Sequence, residues 1–193
     1  MHPYTATCYN NVAANLNSQR RFEEAEPLCR KGLEIRQKVL GDTHPDTAAS
    51  YDVFAYNLNA QGRYEDAEPL YRKGLEIRQK VLGETHPDTA ASYNSVAYNL
   101  NAQGRYEDAE PLFCKGLEIY QQALGEIHPD TANSYNNIAS NLNSQGRFEE
   151  AEPLYLKAAL LIESALGEDH PRSKIFRDNL NLFLKIRRTE PSK

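Results

Sequence analysis

The chain has 193 residues, 40% of them apolar and 25% charged, with a net charge of about −5 and a mean hydropathy of −0.71. It has no block of Lys and Arg with which to follow a phosphate backbone, and no run of about 18 apolar residues that could cross a membrane. Nucleic acid and membrane are therefore not expected as partners, and a soluble protein of the cytoplasm is. The low apolar share suits a thin core carrying much surface.

A strict period organises everything else. His-Pro occurs at His2, His44, His86, His128 and His170, each copy 42 residues after the last, and residues 44–85 match residues 86–127 at 33 of 42 positions. Such a period marks stacked repeats, in which each unit buries its apolar face against its neighbours. The spacing predicts four repeats over about 2–43, 44–85, 86–127 and 128–169, followed by a capping helix over about 171–188. All lie within a single domain, 1–193, and the in-phase start at His2 suggests a portion of a longer protein.

In the first repeat, one helix is expected over about 3–19 and a second over 22–40. Arg20 stands where the other repeats carry Gly62, Gly104 and Gly146. With a positive φ there, an arginine costs on the order of 1 kcal/mol, so this turn is expected to be strained or differently shaped. In the second repeat, Tyr51, Phe54, Ala55 and Leu58 form one stripe on a helix over Thr47–Gln61. Thr43 and Asp46 have capping-box spacing, and Pro45 falls in the first turn. Gly62 ends this helix. A second helix over about 64–82 presents Ala67, Leu70, Tyr71, Gly74, Leu75, Ile77, Val81 and Leu82.

Helices near 87–103, 106–124, 129–145 and 148–166 repeat the pattern. Pro27, Pro69, Pro111 and Pro153 fall inside the second helices and are expected to bend them. In the final helix, Ile175, Phe176, Leu180, Leu182, Phe183 and Ile186 should cover the last hairpin, leaving Arg187 and Arg188 in solvent. The three cysteines, Cys8, Cys29 and Cys114, occupy inequivalent positions and read as reduced thiols.

Catalytic and metal chemistry find little support. Two zinc ligands must lie within about 4 Å of each other, whereas equivalent residues of stacked hairpins stand about 8–10 Å apart. The histidines are therefore expected as turn or cap residues. Acidic pairs such as Glu65-Asp66 suit helix N-termini, and no phosphate loop or nucleophile elbow is present. The expectation is a protein without enzymatic activity, metal or cofactor.

The tract from Gln61 through Gly62, Arg63, Tyr64, Glu65, Asp66 and Ala67 to Gly83, with Tyr51, Phe54, Ala55, Leu58 and Tyr71, resembles the tetratricopeptide repeat (TPR). It is similar to the 42-residue variety of kinesin light chains and of many bacterial multi-repeat proteins. The resemblance implies an all-α, right-handed superhelical solenoid of four helix-turn-helix repeats. It also implies a concave groove lined by the first helices, which would hold an extended peptide or a partner's helix. Carried over by position, the groove receives Asn10 and Asn17; Asp52, Tyr56 and Asn59; Asn94, Tyr98 and Asn101; and Asn136 and Asn143.

None of these is Lys or Arg, so the cationic clamp with which the family captures acidic peptides is missing from them. Asparagine can bond an extended backbone through both a donor and an acceptor, and the two tyrosines offer flat anchoring surface. A separate row, Asn15, Asn57, Asn99 and Asn141, flanks the core stripe and can tie neighbouring helices together. The expected function is a protein-interaction scaffold. The alternatives are a self-assembling or spacing module, or a regulatory sensor domain of a larger protein.

Overall fold

The structure, a computed structural model, describes residues 3–189; His2 of the His-Pro series and the Arg188 side chain lie outside the described residues. Among them are nine helices. These are α1 (Pro3–Ser18), α2 (Phe22–Leu40), α3 (Pro45–Ala60), α4 (Tyr64–Leu82), α5 (Pro87–Ala102), α6 (Tyr106–Leu124), α7 (Pro129–Ser144), α8 (Phe148–Leu166) and α9 (Pro171–Thr189). The second helices coincide with their expected spans, and the first helices each end one residue sooner. Contacts divide the chain into two compact units, Met1–Gly104 and Arg105–Lys193.

Helices α3, α5, α7 and α9 are each opened by a histidine. The Nδ1 atoms of His44, His86, His128 and His170 accept the backbone N–H two residues on, at 3.1, 3.1, 3.2 and 3.1 Å. That bond satisfies one orphan donor of the first turn, while proline at the next position lacks an N–H to satisfy. The capping-box reading of Thr43 is corrected accordingly: His44 is the cap.

The hairpin turns depend on a left-handed residue. Gly62, Gly104 and Gly146 adopt φ of 77°, 76° and 75°, and Arg20 adopts 61° in their place. The Arg20 amide donates to the Asn17 carbonyl at 3.0 Å, as Gly62 does to Asn59. The first turn therefore keeps the common shape and holds the arginine in a strained conformation. Each internal proline is the sixth residue of a helix that continues unbroken past it.

In the first unit, α1 packs on α2, α2 on α3, α3 on α4 and α4 on α5. Tyr51, Phe54, Ala55 and Leu58 are buried as their periodicity implies, together with Ala67, Tyr71, Leu75 and Ile77. Val81 is exposed instead of joining them. In the second unit, α6 packs on α7, α7 on α8 and α8 on α9. Its core gathers Ala132, Tyr135, Ala158, Ala159, Ile162 and Phe176. Only part of the expected α9 face covers it: Phe176 and Phe183 are buried and Leu180 packs alongside, whereas Ile175, Leu182 and Ile186 point to solvent. Phe183 lies 5.2 Å from the Tyr155 ring, and these two rings close the end of the hairpin.

Candidate functional site

Three rows of polar side chains tie helices of successive repeats together within each unit. In the inner row, the fully buried Asn57 donates through Nδ2 to Asn17 Oδ1 at 2.7 Å and to the Phe22 carbonyl at 2.8 Å. Its Oδ1 accepts from Gln61 at 2.9 Å. One repeat on, Asn99 donates to Asn59 Oδ1 at 2.9 Å and to the Tyr64 carbonyl at 3.0 Å. Within the second unit, Asn141 donates to the Tyr106 carbonyl at 2.9 Å.

In the outer row, Gln37, Gln79 and Gln121 each donate to a tyrosine hydroxyl of the following helix, Tyr51, Tyr93 and Tyr135, at 2.9 Å. In the loop row, Thr47, Thr89, Thr131 and Ser173 donate to the carbonyls of Gly41, Gly83, Gly125 and Gly167, at 2.7–2.8 Å.

This network absorbs several of the residues that sequence position assigns to a groove. Asn10 and Asn17 are only 6% and 4% exposed. Asn10 donates to Ser50 Oγ at 2.7 Å, and Asn17 is the acceptor for Asn57. Asn59 accepts from Asn99 in the same way and is half-buried. Asn94 and Asn101 are half-buried on α5. In the second unit, Asn136 accepts from Asn179 at 3.2 Å, and Asn143 is half-buried.

Tyr56 and Tyr98 behave differently. They occupy equivalent positions on α3 and α5, 53% and 62% exposed. The phenol of the buried Tyr71 is pushed well up, chiefly by burial and further by the charges of Asp52, Tyr56 and Tyr98. Asp52 and Tyr56 stand one turn apart on α3, and Tyr98 takes the register position of Tyr56 on α5.

Two arginines missed by the sequence reading reach this region from the second helices. Arg78 donates to Asp52 Oδ2 at 2.5 Å and to Ser92 Oγ at 2.7 Å. Burial pushes the Asp52 carboxyl above its ordinary range, and Arg78 pulls in the opposite direction. In the first repeat, Arg36 is buried and donates to the Asp46 carbonyl at 2.6 Å, Ser50 Oγ at 3.0 Å and Thr7 Oγ1 at 3.2 Å. Arg36 and Arg78 are equivalent positions 42 residues apart, and that spacing was the available signal.

Glycine makes the close approach possible. A Cβ on Gly74 would lie 2.6 Å from Asp52 Oδ1, and one on Gly32 would collide with Asn10 Oδ1. The cysteines take no part in this site. Cys29 is buried, its thiol pushed up to about 11 by burial, while Cys8 and Cys114 are exposed and unpaired. Among the described residues no group of three or more metal-ligating side chains occurs, and no helix is long and apolar enough to cross a membrane.

Antiparallel helical hairpins of fixed length, joined through side-chain ladders and carrying exposed aromatic residues on first helices, define an α-helical repeat scaffold for protein interaction. The chain belongs to the tetratricopeptide repeat family, whose models match residues 4–80, 54–122 and 131–172. Among solved structures, it is similar to the nearly identical TPR-like repeats of a Podosopora anserina protein described as a kinesin light chain. The TM-score is 0.82 at 23% identity, over 98% of this chain and 90% of that one. A single-substitution variant of those repeats gives a TM-score of 0.83 at the same identity and coverage. BtubC (BKLC) from P. vanneervenii gives 0.76 at 25% identity, over 90% of this chain and 69% of that one. The Podosopora matches establish the fold, an all-α TPR solenoid. No curated protein matches the chain in sequence.

Proposed function

We propose that this protein is a non-enzymatic scaffold of the cytoplasm that holds an extended segment of a partner protein across the first helices of residues 1–104, anchored on Tyr56 and Tyr98. The observation that carries this reading is the exposure of two large aromatic rings at one register position of successive repeats. Exposed aromatic residues supply contact area at low entropic cost and are enriched where proteins bind one another. A preformed surface also lowers the cost of ordering a flexible segment.

The asparagines have a smaller part in this reading than their positions suggest. Asn10, Asn17 and Asn59 are engaged by the neighbouring repeat, so the anchoring falls to the tyrosines. Asp52 sits beside them and is paired with Arg78, which favours a ligand of mixed or neutral character over a strongly acidic one. Asn136 and Asn143, on α7 of the second unit, would offer polar contacts of the same kind there.

The test is selection of displayed peptides on the intact chain, followed by affinity measurement against the double variant Tyr56→Ala, Tyr98→Ala. Loss of at least about tenfold in affinity, with unchanged helicity and melting temperature, is expected of two anchoring rings. Selected peptides that bind the double variant as well as the parent would overturn the assignment.

A further inference from the structure

The solvent side of α9 is built differently from that of the other first helices. Ile175 and Leu182 are 55% and 59% exposed, and Ile186 is exposed as well. Spaced seven and then four residues apart, they fall on one line about 16 Å long. The same register positions face solvent inside the repeats: on α5 they are the exposed Ala91, Tyr98 and Ala102. A first helix meets its own second helix on another side, where Ala48 and Asp52 lie against Gly74. In α9 those two positions hold Lys174 and Asp178. Exposure of the stripe therefore follows from its register, whatever precedes or follows α9.

Charge sets this helix apart in the same place. It carries six Arg and Lys residues against one acid, Asp178, in a chain whose net charge is about −5. Arg177 and Arg187 pair with Glu163 and Glu149 of α8, and Lys174 lies 3.6 Å from Asp169. Arg172 and Lys185 make no ion pair among the described residues. They stand three residues before Ile175 and three after Leu182, a spacing that keeps side chains on one side of a helix. The stripe thus has a cation toward either end.

Beside it, α7 offers small polar groups. Asn136 Oδ1 accepts from Asn179 Nδ2 at 3.2 Å, which holds α7 alongside this part of α9. Ser140 and Ser144, at the register positions of Leu182 and Ile186, are exposed and short.

We infer that the α9 stripe docks an acidic amphipathic helix of a partner protein. Its apolar side chains would pack on Ile175, Leu182 and Ile186 over about three turns. Carboxylates toward its two ends would meet Arg172 and Lys185. Two other occupants match this surface less well. A bilayer would take water from Ser140 and Ser144 and give them no hydrogen-bond partner in return. A helix about 10 Å across covers the stripe and leaves them wet. A second copy pairing through the same face would set the cations of one α9 against those of the other. Tyr56 and Tyr98 belong to the first unit and this stripe to the second, so the inference does not rest on the function proposed for the tyrosines.

The test uses a fluorescein-labelled model helix of about 18 residues, with leucines at i, i+3, i+4 and i+7 and glutamates at both ends. Titrated against the intact chain, it is expected to saturate at micromolar concentration. Leu182→Glu should weaken that binding at least about tenfold. A second model helix, with lysines in place of the glutamates, should bind the parent chain at least about tenfold more weakly. The chain variant Arg172→Glu, Lys185→Glu should reverse this preference. Far-UV circular dichroism checks that each variant stays folded. The Tyr56→Ala, Tyr98→Ala chain should bind the acidic helix as the parent does; a loss there assigns the helix to the tyrosines and overturns the inference. Absence of binding up to about 100 μM overturns it too, as does binding indifferent to the charge swap. Two further results replace the occupant. One is sedimentation with phosphatidylserine vesicles that Leu182→Glu abolishes, in place of peptide binding. The other is light scattering in which the chain dimerises and Leu182→Glu returns it to monomer.

Discussion

His44 illustrates how a residue outside the usual capping set can open a helix. Its Nδ1 is fixed two residues ahead of the N–H it accepts, and Pro45 sets the backbone angle that brings the two together. The periodic His-Pro pair was plain in the sequence. The histidines were read as turn or cap residues, and the caps bear that out; what misled was the Thr43–Asp46 spacing, because threonine followed three residues later by an acid gives the stronger conventional signal. Arg20 was legible in the opposite sense: three glycines at equivalent positions announced a positive φ, and the arginine holds φ of 61°. Relieving it should stabilise the protein. Arg20→Gly is expected to gain about 0.5–1 kcal/mol, the left-handed penalty less the extra freedom glycine gives the unfolded chain. Chemical denaturation of the two proteins under one set of conditions measures it, and an unchanged or lower midpoint would mean the turn carries no strain.

Along a helix, periodicity gives the angle at which a side chain leaves the axis but not which neighbour waits there. That is why helix spans were read within two residues while the asparagine row was read only in part. Asn57 and Asn99 were recognised as ties between helices; their acceptors Asn17 and Asn59, two residues further round, were assigned to the groove. Arg36 and Arg78 escaped for a related reason. They belong to second helices, and only the length of the arginine side chain carries their guanidinium groups to the first-helix face. The outer glutamine–tyrosine row and the loop threonine row were equally periodic, yet nothing in sequence alone says that residues 14 apart, such as Gln37 and Tyr51, meet. The ladder reading has a direct energetic consequence. Asn57→Ala removes the donor that serves Asn17 and Phe22 and the acceptor of Gln61, all at a site closed to water. A loss of about 2–3 kcal/mol is expected, the cost of stranding buried polar groups. Gln61→Ala, at a half-exposed position, should cost less than about 1 kcal/mol. Urea unfolding of both variants decides the ranking, and equal small effects would reduce the ladder to incidental contact.

Over the whole molecule, one interface chemistry recurs, and the repeats differ mainly in what lies against them. In α9 the pattern changes: Phe183 stands at the position of the ladder asparagine and Phe176 at that of Ser50, Ser92 and Ser134, and both rings are buried in the second unit. At α1 no such change occurs, and Thr5, Cys8, Tyr9, Val12 and Asn15 keep the interior pattern on an open face. A matched pair of substitutions isolates that difference. Val12 and Val96 share a residue type, a helix position and a repeat register, and differ in exposure, 52% against 0%. Truncating Val96 to alanine empties space within a packed interface and is expected to cost about 2 kcal/mol. The same truncation at Val12 removes a side chain already in water, so its expected cost stays within about 0.5 kcal/mol. Local sequence propensity is nearly the same at the two sites, so any difference in unfolding free energy measures the covering helix. Equal destabilisation would mean that the Val12 side chain is as covered in solution as that of Val96.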